Sequence, residues 1–357
     1  MNLENYDAQT KTVWNRAHFE PDHNARRSRI CLAIFPRLFG WGSLAVLVAF
    51  LFNNYLTYWR GWPGPAGVTG ETADISSMIQ AGFYGIAVLF VASYLVLDRF
   101  RLLREERERI VRINSFLIRT AFWSVLLIGL VDFSLAFLRG ENLLAAMAGD
   151  ELFKQLMRAE FRGGYVHMSL VGVAIIIASI TRSIGVTWLS LLIVVAELLL
   201  VISRFVFSYE QDYMADLVRF WYAPLFLIGC AYALREEGHV RIDVLYTALG
   251  LRSRSVVNAC GAVLLGMPFC WLILIVGTSG KAAIINSALL TFEIEGIGNG
   301  LYVFYLMTVF IAVFAITMLV ELVGTFFDAV ADCRGEPGGR NCDAVAGTVH
   351  PATREGP

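Results

Sequence analysis

The sequence predicts an all-α integral membrane protein of about eight transmembrane helices, with both termini cytoplasmic and an interfacial amphipathic helix after helix six. Three observations carry this expectation. The chain is 57% hydrophobic and only 17% charged, with a mean hydropathy of +0.61, whereas soluble domains are about half apolar and about a quarter charged. Eight apolar stretches approach or exceed the roughly 20 residues that cross a bilayer. Lys and Arg gather on alternate connections between those stretches, as they do on the cytoplasmic side of a membrane.

The expected spans, in order, are Leu38–Trp59, Met78–Leu97, Phe116–Leu138, Val166–Ile180, Thr187–Phe207, Leu217–Leu234, Val256–Gly277 and Leu301–Phe327. Each should be helical, because lipid offers no water to an open backbone and the alternation of a barrel strand is absent. The fourth is short and is separated from the fifth by "TRSIGV", so the pair reads as a tight hairpin or as one broken region. The polar leader, residues 1–37, contains "ARRSR" and reads as cytoplasmic, and the first span reads as uncleaved.

The connections fix the orientation. The leader, "DRFRLLREERERIVRIN", Arg182, and the Arg235–Arg254 stretch are basic and share one side if there are eight spans. The opposite side carries the turn-rich "GWPGPAGVTGETADISS", an amphipathic "DELFKQLMRAEF" expected on the outer surface, the acidic "SYEQD", and "FEIEGIGNG". Glu105–Arg109 and Glu108–Arg112 have i,i+4 spacing, so the third span is expected to continue into the cytoplasm as a helix laced by ion pairs. Residues 331–357 are Gly-rich and polar and are expected to be disordered.

Charged residues interrupt the spans: Arg119 and Asp132 in the third, Glu197 and Arg204 in the fifth, Asp216 and Arg219 at the start of the sixth. Ionisable groups in lipid are costly and face protein or water. They read either as an ion or substrate path or as helix-to-helix pairs with snorkelling ends, and for Arg119 and Arg204 the second reading is favoured. Only His167 lies in a span, at its edge, which disfavours axial haem ligation. No Walker motif, HExxH pattern or Cys/His zinc spacing occurs, so neither an enzyme nor a cofactor or metal site is expected. The net charge of −1 gives no global basic field for nucleic acid. Cys230, Cys260 and Cys270 read as packing residues.

The densest charges outside the spans are in "ALREEGHVRIDVLY". On a helix, His239 and Asp243 lie one turn apart, Arg235 shares their face, and Val240, Ile242, Val244 and Leu245 form an apolar side. A metal reading of His239 and Asp243 has two ligands and lacks a third; a catalytic reading has no nucleophile. The favoured reading is a cytoplasmic elbow, locked by ion pairs that include Arg241, turning the chain from helix six into helix seven.

The stretch from Val201 to Tyr246 resembles the small permease subunit, DctQ type, of tripartite ATP-independent periplasmic (TRAP) transporters. The resemblance rests on an Arg-aromatic step at Arg204–Phe205, an acidic-Leu-x-Arg start at Asp216–Arg219, and Arg235 followed by His239, Val240, Ile242 and Asp243. It covers roughly Thr187 to Val330, with Asp216 standing where Glu is commoner. It implies a DctQ-like four-helix domain over 183–330, and a four-helix extension over 38–182 typical of the long form. It also implies a large permease subunit of DctM type and a periplasmic solute-binding protein of DctP type as partners, besides membrane lipids. The expected place is the bacterial inner membrane. On this resemblance the chain scaffolds the large subunit and helps dock the binding protein for sodium-coupled uptake of an organic acid or related solute. Arg204, Asp216, Arg219, Arg235, His239, Arg241 and Asp243 would then serve assembly. The alternative is a self-sufficient secondary transporter that uses Asp132 and Glu197; a redox-complex anchor is a third class, disfavoured by the histidines.

Overall fold

The computed structural model describes residues 34–69, 74–98, 101–181, 186–209, 212–235, 249–292 and 300–338. Among these the secondary structure is helical throughout, without a strand. The helices are α1 (Ile34–Trp59), α2 (Ile75–Leu97), α3 (Leu103–Gly140), the short α4 (Leu144–Ala148) and α5 (Asp150–Leu156), and α6 (Ala159–Ile180). They continue with α7 (Val186–Val206), α8 (Asp212–Arg235), α9 (Arg252–Gly277), α10 (Ile284–Thr291) and α11 (Phe304–Cys333). Seven of these are long and apolar enough to cross a membrane, namely α1, α2, α3, α6, α8, α9 and α11. The 21-residue α7 occupies the position of the expected fifth span. The chain is an all-α membrane protein, as the composition demands.

Several boundaries differ from expectation for physical reasons. α6 begins at Ala159, not Val166, because a π turn at Arg162–His167 carries the helix on through two glycines. A second π turn, Ala262–Gly266, precedes Pro268 in α9. Proline has no N–H for the carbonyl four residues back, and a locally wider turn absorbs the missing bond. α1 starts at Ile34, inside the stretch read as leader, because Arg37 is wholly buried against other helices. α11 runs to Cys333, and Glu336 beyond it accepts the Leu103 N–H at 3.1 Å, so residues 331–338 are packed, not disordered. The rest of that tail lies outside the described residues.

α3 has 38 residues and so extends about 57 Å, roughly twice the thickness of a hydrocarbon core. It does continue beyond the membrane, but the i,i+4 pairs expected along it are absent. Its arginines reach other helices: Arg104 pairs with Asp328 and Asp332, and Arg107 with Asp328 at 2.7 Å. A pair along one helix face contributes only about 0.2–0.5 kcal/mol; Arg109 turns instead to the Tyr94 hydroxyl of α2 at 2.6 Å.

α11 is the centre of the bundle. It packs against α1, α3, α8, α9 and α10, and 56% of its apolar window is buried, against 17–35% for the other six candidate spans. One apolar core surrounds its C-terminal half, with Leu319, Val323 and Phe327 against Leu47, Leu103, Ile110 and Leu274. A second surrounds its N-terminal half, with Tyr305, Leu306 and Phe310 against Phe122, Ile128, Phe220 and Trp221. Below, "inner" denotes the end with Leu103 and Cys333, which the charge bias expects in the cytoplasm, and "outer" the end with Gly140 and Phe304.

Candidate functional site

The outer end of the bundle is closed by a buried polar cluster. Asp132 comes from α3, Arg162 and His167 from the π turn that opens α6, and Tyr302 and Tyr305 from the entry of α11. Asp132 Oδ1 accepts from Arg162 Nη1 at 3.0 Å and lies 3.4 Å from His167 Nε2, while its Oδ2 accepts the Tyr302 N–H at 2.7 Å. His167 Nδ1 is 2.7 Å from the Tyr305 hydroxyl. With Nε2–H donated to Asp132, Nδ1 accepts from the Tyr305 hydroxyl, so both ring nitrogens are engaged. The Arg162 guanidinium lies 4.2 Å over the Tyr302 ring. Asp132, Arg162 and His167 are all wholly buried. Asp132 and His167 would offer a metal two ligands, and among the described residues no third His, Cys, Asp or Glu joins them.

Two further contacts tighten the same end. Asp216 Oδ2, near the start of α8, accepts the Leu301 N–H at 3.2 Å. Arg139 Nη2, at the end of α3, donates to the Gly300 carbonyl at 2.8 Å. Just before α8, the Tyr209 hydroxyl donates to Glu141 at 2.6 Å, which pushes the phenol pKa well up. Three consecutive residues ahead of α11 are thus held by side chains from α3 and α8.

A matching clasp closes the inner end. Arg37 of α1 and Glu106 of α3 pair while both are buried, and Trp41 Nε1 donates to the other carboxylate oxygen at 3.2 Å. Deeper in the bundle, Asn114 Nδ2 donates to Glu321 Oε2 at 2.8 Å, tying α3 to α11.

The residues singled out from the sequence fall into three groups. Asp132 and Asp216 are joined to the outer cluster. Arg119 donates to the Ala178 carbonyl in the last turn of α6 at 3.3 Å, a cation on the negative end of a helix dipole. Arg219 is largely exposed, 3.8 Å from Asp216, and Arg204 lies against the Phe205 ring. Arg235 ends α8. His239, Arg241 and Asp243 lie outside the described residues, and with them the elbow expected there. Glu197 stands apart from all of these. It is exposed halfway along α7, on a face shared with exposed Val194, Leu198 and Val201, and among the described residues it has neither an ion pair nor a hydrogen bond.

Sequence reasoning missed Arg37, Glu106, Asn114, Arg162 and Glu321 as buried polar groups, and weighed His167 only as a haem ligand. Glu321 had a readable signal: it is an acid inside "MLVELVG", as Glu197 is inside its own apolar run. Arg37 and Arg162 gave none, because they lie just outside the apolar stretches, and Glu106 was hidden in a run of charges.

These features define a class: a multi-pass helical membrane protein whose buried charges are engaged in joining helices, with one mid-span carboxylate turned outward. Residues 191–328 match the family described as tripartite ATP-independent periplasmic transporters, DctQ component. That stretch is similar to the DctQ component, and the helices ahead of it fit the long form of such a small TRAP permease subunit. No curated protein and no solved structure matches the chain. DctQ is a transporter-component family, not an enzyme family.

Proposed function

We propose that this small TRAP subunit braces the large permease subunit in a bacterial inner membrane and helps seat the periplasmic solute-binding protein, for sodium-coupled uptake of an organic acid or related solute. The observation that carries the reading is Glu197. A carboxylate at mid-span costs about 2.5–3.5 kcal/mol in lipid, and α7 turns this one away from its own bundle. A second protein covering that face removes the cost by pairing or hydrogen-bonding the carboxylate. The outer cluster supports the second part: it holds the outer helix ends rigid, which a soluble protein needs in a docking platform. The self-sufficient transporter fits less well, because the oxygens of Asp132 are occupied by protein donors and Glu197 lies on the outside of the bundle.

Cysteines at Val194, Leu198 and Val201 should cross-link to the large permease subunit, and Glu197→Leu should reduce co-purification of the two chains while leaving this one inserted. Full co-purification of the Glu197→Leu variant, with no cross-link at those three sites, would overturn the bracing role. Sodium-driven uptake of an organic acid by this chain alone in liposomes would overturn it too, in favour of a self-sufficient transporter.

A further inference from the structure

A groove of about 440 Å³ opens on the inner end of the bundle, between α2 and α3 with α1 at its back. It is lined by Trp41, Phe90, Tyr94, Arg109, Arg112 and Ile113, among others. It exists because α2 packs on α1 and the outer 3₁₀ turn Pro65–Thr69 but hardly on α3. Of the candidate spans, α2 is the least buried by its own chain, at 17%.

The lining has two characters at one membrane depth. Phe90 and Tyr94 lie in the last two turns of α2, and Arg109 and Arg112 in the second and third turns of α3. Trp41 stands in the second turn of α1, where an amphipathic ring suits the headgroup level. Phe90 and Ile113 expose 73% and 43% of their surface, so the groove has an apolar wall toward the bilayer. Arg109 donates to the Tyr94 hydroxyl at 2.6 Å and lies 3.9 Å from Asp98, which holds it at the groove and neutralises it only in part. Arg112 is exposed, with no ion pair or hydrogen bond among the described residues. Glu106, the nearest buried acid, is already engaged by Arg37. Glu105 and Glu108 are exposed and do not line the groove.

We infer that this groove binds an anionic phospholipid. The phosphate and its net negative headgroup sit at Arg109 and Arg112, and an acyl chain lies along Phe90 and Ile113, filling the gap that α2 and α3 leave. Basic pockets between membrane helices on the cytoplasmic side recognise anionic headgroups in this way. A zwitterionic lipid supplies the same acyl chain but not the net charge that two arginines attract.

The full chain, delipidated in detergent, is titrated with phosphatidylglycerol or phosphatidylethanolamine and read by native mass spectrometry. Phosphatidylglycerol should bind more tightly. Arg112→Gln should weaken it about fivefold, as expected for one interfacial cation, and leave phosphatidylethanolamine unchanged. Ile113→Trp, which fills the apolar part, should weaken both lipids. Equal binding of the two lipids, or no change on Arg112→Gln in a variant that melts like the parent, overturns the proposal. A photo-cross-linker at Phe90 that captures the large permease subunit from the assembled complex, instead of lipid, overturns it as well.

Discussion

Asp132 Oδ2 accepts the peptide N–H of Tyr302 at 2.7 Å, and the next N–H back, on Leu301, is held by Asp216 at 3.2 Å. Two carboxylates, one from α3 and one from α8, therefore sit on the backbone that leads into α11. The position favours them, since the N-terminal end of a helix carries partial positive charge. It also fixes three helices with one short segment of chain, at the end where a periplasmic partner would approach.

Removing Asp132 should be the most damaging change at this end. Asp132→Ala leaves Arg162 buried without a countercharge, and breaking a buried pair from one side costs about 3–5 kcal/mol. Replacing both partners, as in Asp132→Leu with Arg162→Met, should recover much of that loss, because two apolar residues need no countercharge. Thermal unfolding of the purified chain, run as a double-mutant cycle, checks the order: the double variant should melt above the Asp132→Ala variant.

Gly129 tests the contact between the front and back parts of the chain. A Cβ there would run into the Trp221 indole and come within 3.2 Å of Leu217 Cδ1, so α3 and α8 approach closely only because the residue is glycine. Gly129→Ala should cost about 1–3 kcal/mol by forcing the helices apart. Gly172→Ala on α6 meets nothing within 4 Å and should be neutral or gain up to about 1 kcal/mol from helix propensity. Comparing the melting temperatures of the two variants separates packing from propensity.

The spans were legible because burial in lipid demands long apolar runs, and the helices found match them within a few residues except where buried arginines or a π turn extended an end. Asp132 was legible as an acid inside an apolar run, and Arg119 as a charge near a span's end. Their partners were not. Tyr302 is 170 residues from Asp132, and nothing local in "RGGYVH" announces that Arg162 and His167 turn inward to meet it. Glu197 shows the converse limit: its run of residues marks a helix, but which way the carboxylate faces depends on how α7 packs against α8. Glu321 could have been flagged by the same rule as Glu197, and the rule fails to say that one is covered and the other is not.

Glu336 predicts a pH dependence at the inner end, where it accepts the Leu103 N–H. Burial raises its carboxyl pKa above the ordinary 4.5, against the opposing pull of Arg334 and the Leu103 N–H. A raised folded value means the folded state binds the proton more tightly. The resulting stabilisation is complete below the unfolded value near 4.5 and is lost as pH rises through the raised folded value. The melting temperature should therefore gain a component on acidification from neutral pH, and Glu336→Gln should remove that component. An unchanged pH profile in the variant would place the titration elsewhere.

The elbow expected from the sequence after Arg235 gives the last test. α8 ends at Arg235 and α9 begins at Arg252, and the charged run between them in sequence lies outside the described residues. In sequence, His239 and Asp243 are spaced to meet on one helical face, with Arg235 one turn before them. If they hold the elbow together, their loss acts on assembly and not on transport chemistry. Asp243→Asn and His239→Ala should each lower the amount of complex recovered with the large permease subunit. The complex that does form should transport with unaltered apparent affinity for sodium and for solute. Uptake in proteoliposomes, normalised to the complex present, distinguishes the two: an altered sodium or solute affinity at normal assembly would move these residues from bracing to the transport path.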